Sequence, residues 1–332
     1  MRFCSCRDVC LQRLALYMTD SAAKTRTKPP QSFEIVLPAT SANLGPAFDT
    51  AALAFSMFLK VRAMAANEFS ITARGRDREI CVQIDKHLIV TTYCEVLQAE
   101  GKPVQPLALR IENEIPIGKG CGSSAAARLA GITLAVHFGR LRWTDNRIVY
   151  EAAQREHHPD NAAACWMGGL AIAQISAPGE MRMAHVRPQG KWPLLLAVPN
   201  ESLSTEDARR VLPDQYSRAD TVANIQNSML LLAAFLQGRK DWLPSALEDR
   251  IHQPYRASLC PLLPALQKLT GTRGILGSAL SGAGPSVLVF LDPKSSVNQA
   301  RKRVRDHLRA HGLDPELIHT EITARGASQQ IR

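Results

Sequence analysis

Hydrophobic positions along this chain fall into short runs and longer amphipathic stretches, separated by clusters of Gly, Pro, Ser, Asn and Asp. Short apolar runs bounded by turn residues read as strands, and longer stretches with apolar positions three and four apart read as helices. Residues 33–37, 50–63, 68–72, 107–111, 170–175, 194–198, 287–291 and 318–323 are predicted strands on that basis. Residues 88–100, 123–138, 145–156, 205–212, 221–237, 262–269 and 297–311 are predicted helices, with Thr144 placed to cap the third. Strands and helices mix without strict βαβ alternation, which argues an α+β fold.

One junction between elements carries chemistry. After the apolar run 107–111 comes Pro116-Ile117-Gly118-Lys119-Gly120-Cys121-Gly122-Ser123-Ser124-Ala125-Ala126-Ala127, which opens a helix of small residues. Glycines let a backbone turn sharply and approach a ligand closely. The free N–H groups of the helix start then face an anion, and the helix dipole favours its charge. The segment is not a P-loop, because no Lys-Ser/Thr pair closes it. Taken alone it could be a tight turn.

Two further segments change that balance. Pro38-Ala39-Thr40-Ser41-Ala42-Asn43-Leu44-Gly45-Pro46-Ala47-Phe48-Asp49 follows the first strand, and Ser281-Gly282-Ala283-Gly284-Pro285-Ser286 lies between the apolar runs 275–280 and 287–291. In this order and spacing the three segments resemble the motifs of the GHMP small-molecule kinases (galactose, homoserine, mevalonate and phosphomevalonate kinases). The first motif, and a fourth segment His158-Pro159-Asp160-Asn161-Ala162-Ala163-Ala164 followed by Gly168-Gly169, look most like the homoserine kinases. The resemblance runs from about residue 33 to about residue 323.

The resemblance implies an N-terminal domain like ribosomal protein S5 domain 2, over residues 33–185, and a ferredoxin-like α+β C-terminal domain over 186–325. The boundary is expected near 177–191, a stretch with two prolines and two glycines, and the second domain is expected to return a strand to the first. It implies ATP and Mg²⁺ as cofactors, with residues 116–126 holding ATP. Ser124 and Glu156 become the expected metal ligands, with Glu151 as the rival carboxylate. Asn43, Asp49, His158, Asp160, Asn161, Thr205, Arg209 and Arg256 are the expected substrate residues, with Asn161, Asp49 and His158 at the chemistry; Ser281 to Gly284 form the third motif.

Asn161 stands where mevalonate-type kinases have a proposed catalytic aspartate. An amide is not a competent base, so direct attack of the substrate hydroxyl on the γ-phosphate is expected. Thr205 and Arg209 are four apart, so one helical face presents both. Arg209 and Arg256 could hold an α-carboxylate through charge-assisted bonds. The resulting expectation is phosphorylation of L-homoserine in threonine biosynthesis. A kinase for another small alcohol such as mevalonate, or a catalytically dead ligand-binding relative, is the alternative. Lys119, Cys121, Arg128 and His157 depart from the residues usual in the family.

Composition adds limits. With 45% hydrophobic and 21% charged residues, the 332-residue chain is ordinary for a globular protein. No apolar run approaches the roughly 18 residues of a membrane span. Of the net charge of +10, residues 1–33 carry six cations against two acids, and Arg301, Lys302, Arg303, Arg305 and Arg309 lie on one predicted helix. No aromatic residues interleave with that cluster as a nucleic-acid stacking platform needs, so neither nucleic acid nor membrane is an expected partner. Among eight cysteines no pair has zinc spacing, and reduced thiols in a cytoplasmic protein are expected. Residues 1–32, with Cys4, Cys6 and Cys10, are expected to be a disordered extension, and Met18 is an alternative start. A homodimer is compatible with the family, but no interface is legible.

Overall fold

The computed structural model describes residues 32–84 and 87–332; the expectations for the N-terminal extension and Met18 lie outside the described residues. Two antiparallel-rich sheets organise the chain. The first is built from β1 (Ser32–Asn43), β2 (Ala47–Ala65), β3 (Ser70–Gly75), β4 (Leu107–Asn113), β5 (Leu170–Ala177) and β6 (Glu180–Val186). Its order is β3-β4-β2-β5-β6, with β1 paired to β2, and only the β3–β4 pairing is parallel. The long β2 is the axis of this sheet: Phe33, Ile35 and Leu37 from β1 and Leu53, Phe55, Leu59 and Val61 from β2 are all buried.

Helices cover this sheet. They are α1 (Arg78–Cys81), α2 (Leu88–Ala99), α3 (Ser123–Phe138), α4 (Asp145–Glu156) and α5 (Asp160–Met167). The small residues of α3 allow close packing; at Gly131 an added Cβ would lie 2.5 Å from the Ile89 carbonyl oxygen on α2. Helix α4 begins where the Thr144 hydroxyl accepts the Arg147 N–H, and ends at His157 with φ 65°. That left-handed conformation is easiest for glycine, and His157 adopts it here.

The second sheet contains β7 (Pro193–Val198), β8 (Ile275–Leu280), β9 (Val287–Leu291) and β10 (Glu316–Glu321), in the order β10-β7-β9-β8, all antiparallel. Between β7 and β8 run α6 (Thr205–Arg210), α7 (Arg218–Gln237), α8 (Leu243–Ala246), α9 (Gln253–Arg256) and α10 (Leu262–Gln267); α11 (Val297–Ala310) joins β9 to β10. Numbered within the sheet, the strand order is 4-1-3-2 with helical crossovers, the ferredoxin-like arrangement. On α11, Lys302 pairs with Asp306 and Arg309 with Asp314, so part of its charge is balanced locally.

After β10 the chain returns to the first sheet. Thr323 N–H donates to the Ala54 carbonyl, and Glu34 and Arg332 exchange backbone hydrogen bonds. The interval 177–191, where the domain boundary is expected, holds strand β6, which was not among the predicted strands. It is an edge strand with only Met181 buried, so polar residues and flanking Pro178, Gly179 and Pro188 mask its alternation.

Candidate active site

The three motifs interlock through their backbones. Gly118, Gly120 and Gly122 all have positive φ, between 70° and 77°. At Gly120 an added Cβ would sit 2.2 Å from the Ser281 carbonyl oxygen and 2.7 Å from that of Gly284; at Gly122 it would meet Thr40 Oγ1 at 1.9 Å. Ser281 Oγ donates to the Gly120 carbonyl at 2.7 Å, and Gly282 N–H to the Ala42 carbonyl at 3.1 Å. Asn43 completes the node. Its Nδ2 donates to the Gly282 carbonyl at 2.8 Å, and its Oδ1 accepts the Asp49 N–H at 2.9 Å. Asn43, Leu44 and Asp49 all adopt left-handed φ, strain held by this network at the site.

The loop presents the start of α3. Its N-cap is Gly122, and no side chain caps it. The first N–H groups of a 16-residue helix are therefore offered to whatever binds in front of them. Ile117 N–H is held by Asp77 Oδ2 at 2.9 Å, while Pro116, Ala125 and Ala126 are buried supports. The Lys119 side chain turns away and donates to the Asn200 carbonyl. Cys121 is buried beneath the loop, where burial raises its thiol to about 12, so it is not a nucleophile.

A polar cleft opens beyond this helix start. It gathers Asn43, Asp49, Gly118, Gly120, Cys121, Gly122, Ser123, Ser124, Glu156, His158, Asp160, Asn161, Thr205, Arg209, Arg256, Gly282, Ala283 and Gly284. Nearly all residues assigned a role from the sequence thus line one space, joined by Ala42 and Leu203. Ser124 Oγ donates to Glu156 Oε1 at 2.6 Å, and Arg128 Nε donates to the same oxygen. Glu151 instead pairs with Arg155 at 2.7 Å and does not line the cleft.

At the far side, His158 Nδ1 lies 2.7 Å from Asp160 Oδ1. Burial disfavours the imidazolium, but the Asp160 carboxylate, with Glu156 and Asp49 beyond it, outweighs burial and raises the His158 pKa above its ordinary value. Asp160 is 1% exposed, and its Oδ2 has no hydrogen-bond partner. A buried carboxylate oxygen left open at a cleft is an acceptor awaiting a donor. Asn161 Oδ1 accepts the Thr40 hydroxyl at 2.7 Å, a contact the sequence did not foretell.

The two arginines differ. Arg209 is partly exposed and binds Asp49. Arg256 is 1% exposed; its Nε donates to the Ala208 carbonyl at 2.9 Å, which fixes α6. Burial, then the nearby Arg209, lowers its pKa to about 10, so it stays charged at neutral pH. His252 braces it, donating from Nε2 to the Gly45 carbonyl at 2.7 Å and facing Arg256 with Nδ1 at 3.2 Å. Burial lowers the His252 pKa, which keeps the ring neutral for this double role. Asp249 shapes the turn by accepting the N–H groups of Ile251, His252 and Gln253. The Phe48 ring centre lies 5.5 Å from the Arg209 guanidinium and 5.3 Å from that of Arg256.

A second, mostly apolar cleft of about 310 Å³ adjoins the first and shares Gly118, Ser123 and Ser124 with it. Leu59, Ile80, Leu88, Ile111, Ile115 and Ile117 line it. Ile117, Gly118, Ser123 and Ser124 of this cleft belong to the loop singled out in the sequence; Leu59, Ile80, Leu88 and Ile111 were not singled out, because they come from β2, α1, α2 and β4 and meet only in the fold.

Family models for the GHMP kinases match twice: the N-terminal domain model over residues 87–169 and the C-terminal model over 231–310. A homoserine kinase of Solibacter usitatus is 41% identical over 294 residues, covering 89% of this chain and 96% of that one. A homoserine kinase of Synechocystis is 37% identical over 301 residues, covering 90% and 98%. The crystal structure of homoserine kinase from Cytophaga hutchinsonii superposes with a TM-score of 0.74 over 93% of this chain and 99% of that one; at 21% identity it bears on the fold alone. The chain belongs to the GHMP kinase superfamily and, within it, to the homoserine kinase family.

Proposed function

We propose that this chain transfers the γ-phosphoryl group of ATP to the side-chain hydroxyl of L-homoserine, giving O-phospho-L-homoserine for threonine biosynthesis. The observation that carries this reading is the composition of one cleft. An uncapped helix start faces a complementary charge pair, Arg209 and Asp49, which matches the carboxylate and ammonium of an amino acid. The adjoining apolar cleft suits the adenine ring, and the shared Gly118–Ser124 loop then lies under the phosphates.

Phosphoryl transfer rests on positioning and charge stabilisation. The loop N–H groups hold the triphosphate. Arg209 and Arg256 orient the carboxylate, and Asp49 and the open Asp160 Oδ2 are acceptors for the ammonium and hydroxyl. The hydroxyl oxygen forms a bond to the γ-phosphorus as the bond to the bridging oxygen breaks. Asn161 offers an amide rather than a base there, so the hydroxyl proton passes to the transferred phosphoryl group.

Mg²⁺ fits Ser124 and Glu156, two hard oxygen donors at the phosphate end of α3. Mg²⁺ commonly takes few protein ligands and completes its shell with phosphates and water. When bound it would supply positive charge to the triphosphate.

We also infer two domains, residues 33–185 and 186–325, from the separate strand sets of the two sheets. A homodimer is proposed through the solvent face of α7, where Val222, Ile225, Met229 and Leu236 form an exposed apolar stripe. Sedimentation of Ile225→Asp should return monomers. A cytoplasmic location is in keeping with the buried free thiols Cys81, Cys121, Cys165 and Cys260. No helix among the described residues is long and apolar enough to cross a membrane.

A coupled ADP-release assay with L-homoserine, mevalonate and galactose tests the function. Turnover with homoserine alone is expected. Preference for mevalonate or galactose would reassign the substrate, and no turnover with any would favour a ligand-binding relative.

A further inference from the structure

Arg128 stands one helical turn after Ser124 on α3, so the two side chains share a face of the helix. Both donate to one atom, Glu156 Oε1. The pair is largely shielded from solvent: 23% of the Arg128 side chain and 10% of the Glu156 side chain remain exposed. The carboxylate that would ligate a divalent ion is therefore already neutralised by a cation of the chain itself. His158, two residues on from Glu156 and electrostatically coupled to it, is engaged by Asp160.

A guanidinium and a divalent ion cannot both sit closely on one carboxylate oxygen, because like charges repel and the lone pairs are shared. When the ion takes Glu156, the guanidinium is displaced along a helix whose N-terminus faces the phosphates. One turn of helix, about 5.4 Å, separates Arg128 from Ser124, a gap that a long flexible side chain spans. There it can meet the phosphate oxygens that arginine recognises well.

We propose that Arg128 is a built-in counter-cation for Glu156, which competes with the divalent ion there and supplies part of that ion's charge to the triphosphate. Nucleotide binding to this chain should then depend less on metal than a Ser124–Glu156 site alone would impose. The inference rests on the nucleotide and metal reading above.

The test is calorimetric titration of the full chain with β,γ-imido-ATP, once in EDTA and once in Mg²⁺. The ratio of the two dissociation constants measures metal dependence without any turnover. Arg128→Met removes the competitor for Glu156 and the charge near the phosphates, and both effects raise the ratio. A rise of about tenfold or more is expected, the scale of one charge-assisted hydrogen bond. Arg128→Lys keeps the charge and should stay within about threefold of wild type by the same scale.

An unchanged ratio in folded Arg128→Met overturns the proposal and leaves Arg128 a structural partner of Glu156. Should Arg128→Met fail to melt cooperatively, Arg128→Gln replaces it. If neither folds, the role is structural and the proposal falls. Wild-type chain that binds no nucleotide in either buffer would overturn the nucleotide reading itself, a result distinct from binding with an unchanged ratio.

Discussion

Arg209 Nη2 reaches both oxygens of Asp49, at 2.7 and 2.9 Å, across 160 residues of sequence. The two side chains sit on different motifs and meet inside the cleft. Each carries the charge that an amino-acid substrate would bring to the other. Binding of a zwitterion therefore exchanges one internal ion pair for two, Arg209 with the carboxylate and Asp49 with the ammonium. Both side chains keep about a third of their exposure, 36% and 32%, so the internal pair is screened and yields readily.

That relationship separates the two arginines experimentally. Arg209→Ala should raise the KM for homoserine by one to two powers of ten, the scale of losing a charge-assisted bond worth roughly 1.5–3 kcal/mol. Its melting temperature should stay near wild type. Arg256→Ala should raise the same KM and also lower the melting temperature clearly, because it strips the buried Ala208 carbonyl of its donor. Steady-state kinetics beside thermal melts would distinguish them; equal melting temperatures would contradict the structural role of Arg256.

The carboxylate proposed to hold the metal gives a second contrast. Glu156→Gln should depress turnover far more than Glu151→Gln and raise the Mg²⁺ concentration needed for half-maximal rate. Glu156 shares an oxygen with Ser124 in the cleft, whereas Glu151 makes an i,i+4 pair with Arg155, worth no more than about 0.5 kcal/mol on a helix surface. The opposite ranking in a magnesium titration would move the ligand to Glu151.

Much of this site was legible before the fold because its signals are local. Gly122 and Thr144 mark helix starts, and α3 and α4 begin and end where the sequence pattern places them. The residues expected to hold the substrate lie within short motifs that the family resemblance marks. What could not be read depends on contacts made across the chain. Arg256 is buried where Phe48 and His252, some 200 residues apart in sequence, both come close to its guanidinium. Arg128 was visible as a departure, yet its pairing with Glu156 spans 28 positions and follows from how α3 packs beside α4. Strand β6 escaped because an edge strand needs little apolar sequence.

The glycines of the phosphate loop allow a test of why the motifs need them. Gly120→Ala should abolish nucleotide binding and destabilise the protein, since φ is 77° and the new methyl would strike the Ser281 and Gly284 carbonyl oxygens. Gly101→Ala has φ 62° and meets nothing within 4 Å, so it carries backbone strain of about 1–2 kcal/mol alone. Chemical denaturation with nucleotide titration should show loss of function only for the first.

The last expectation concerns pH. The His158 pKa is raised in the folded chain relative to its ordinary value of 6.5. A raised folded-state pKa means that the native protein holds its proton more tightly than the unfolded chain does. The stabilisation is therefore fully present below pH 6.5 and fades as pH rises through the folded-state value. Asp160→Asn removes the carboxylate that contributes most to the upward shift, so the His158 pKa should fall and this part of the pH dependence should weaken. NMR titration of the His158 ring, with melting temperatures across pH 5.5 to 8.5, reads both effects in the same samples. If the ring titrates alike in wild type and Asp160→Asn, the pair does not govern its charge.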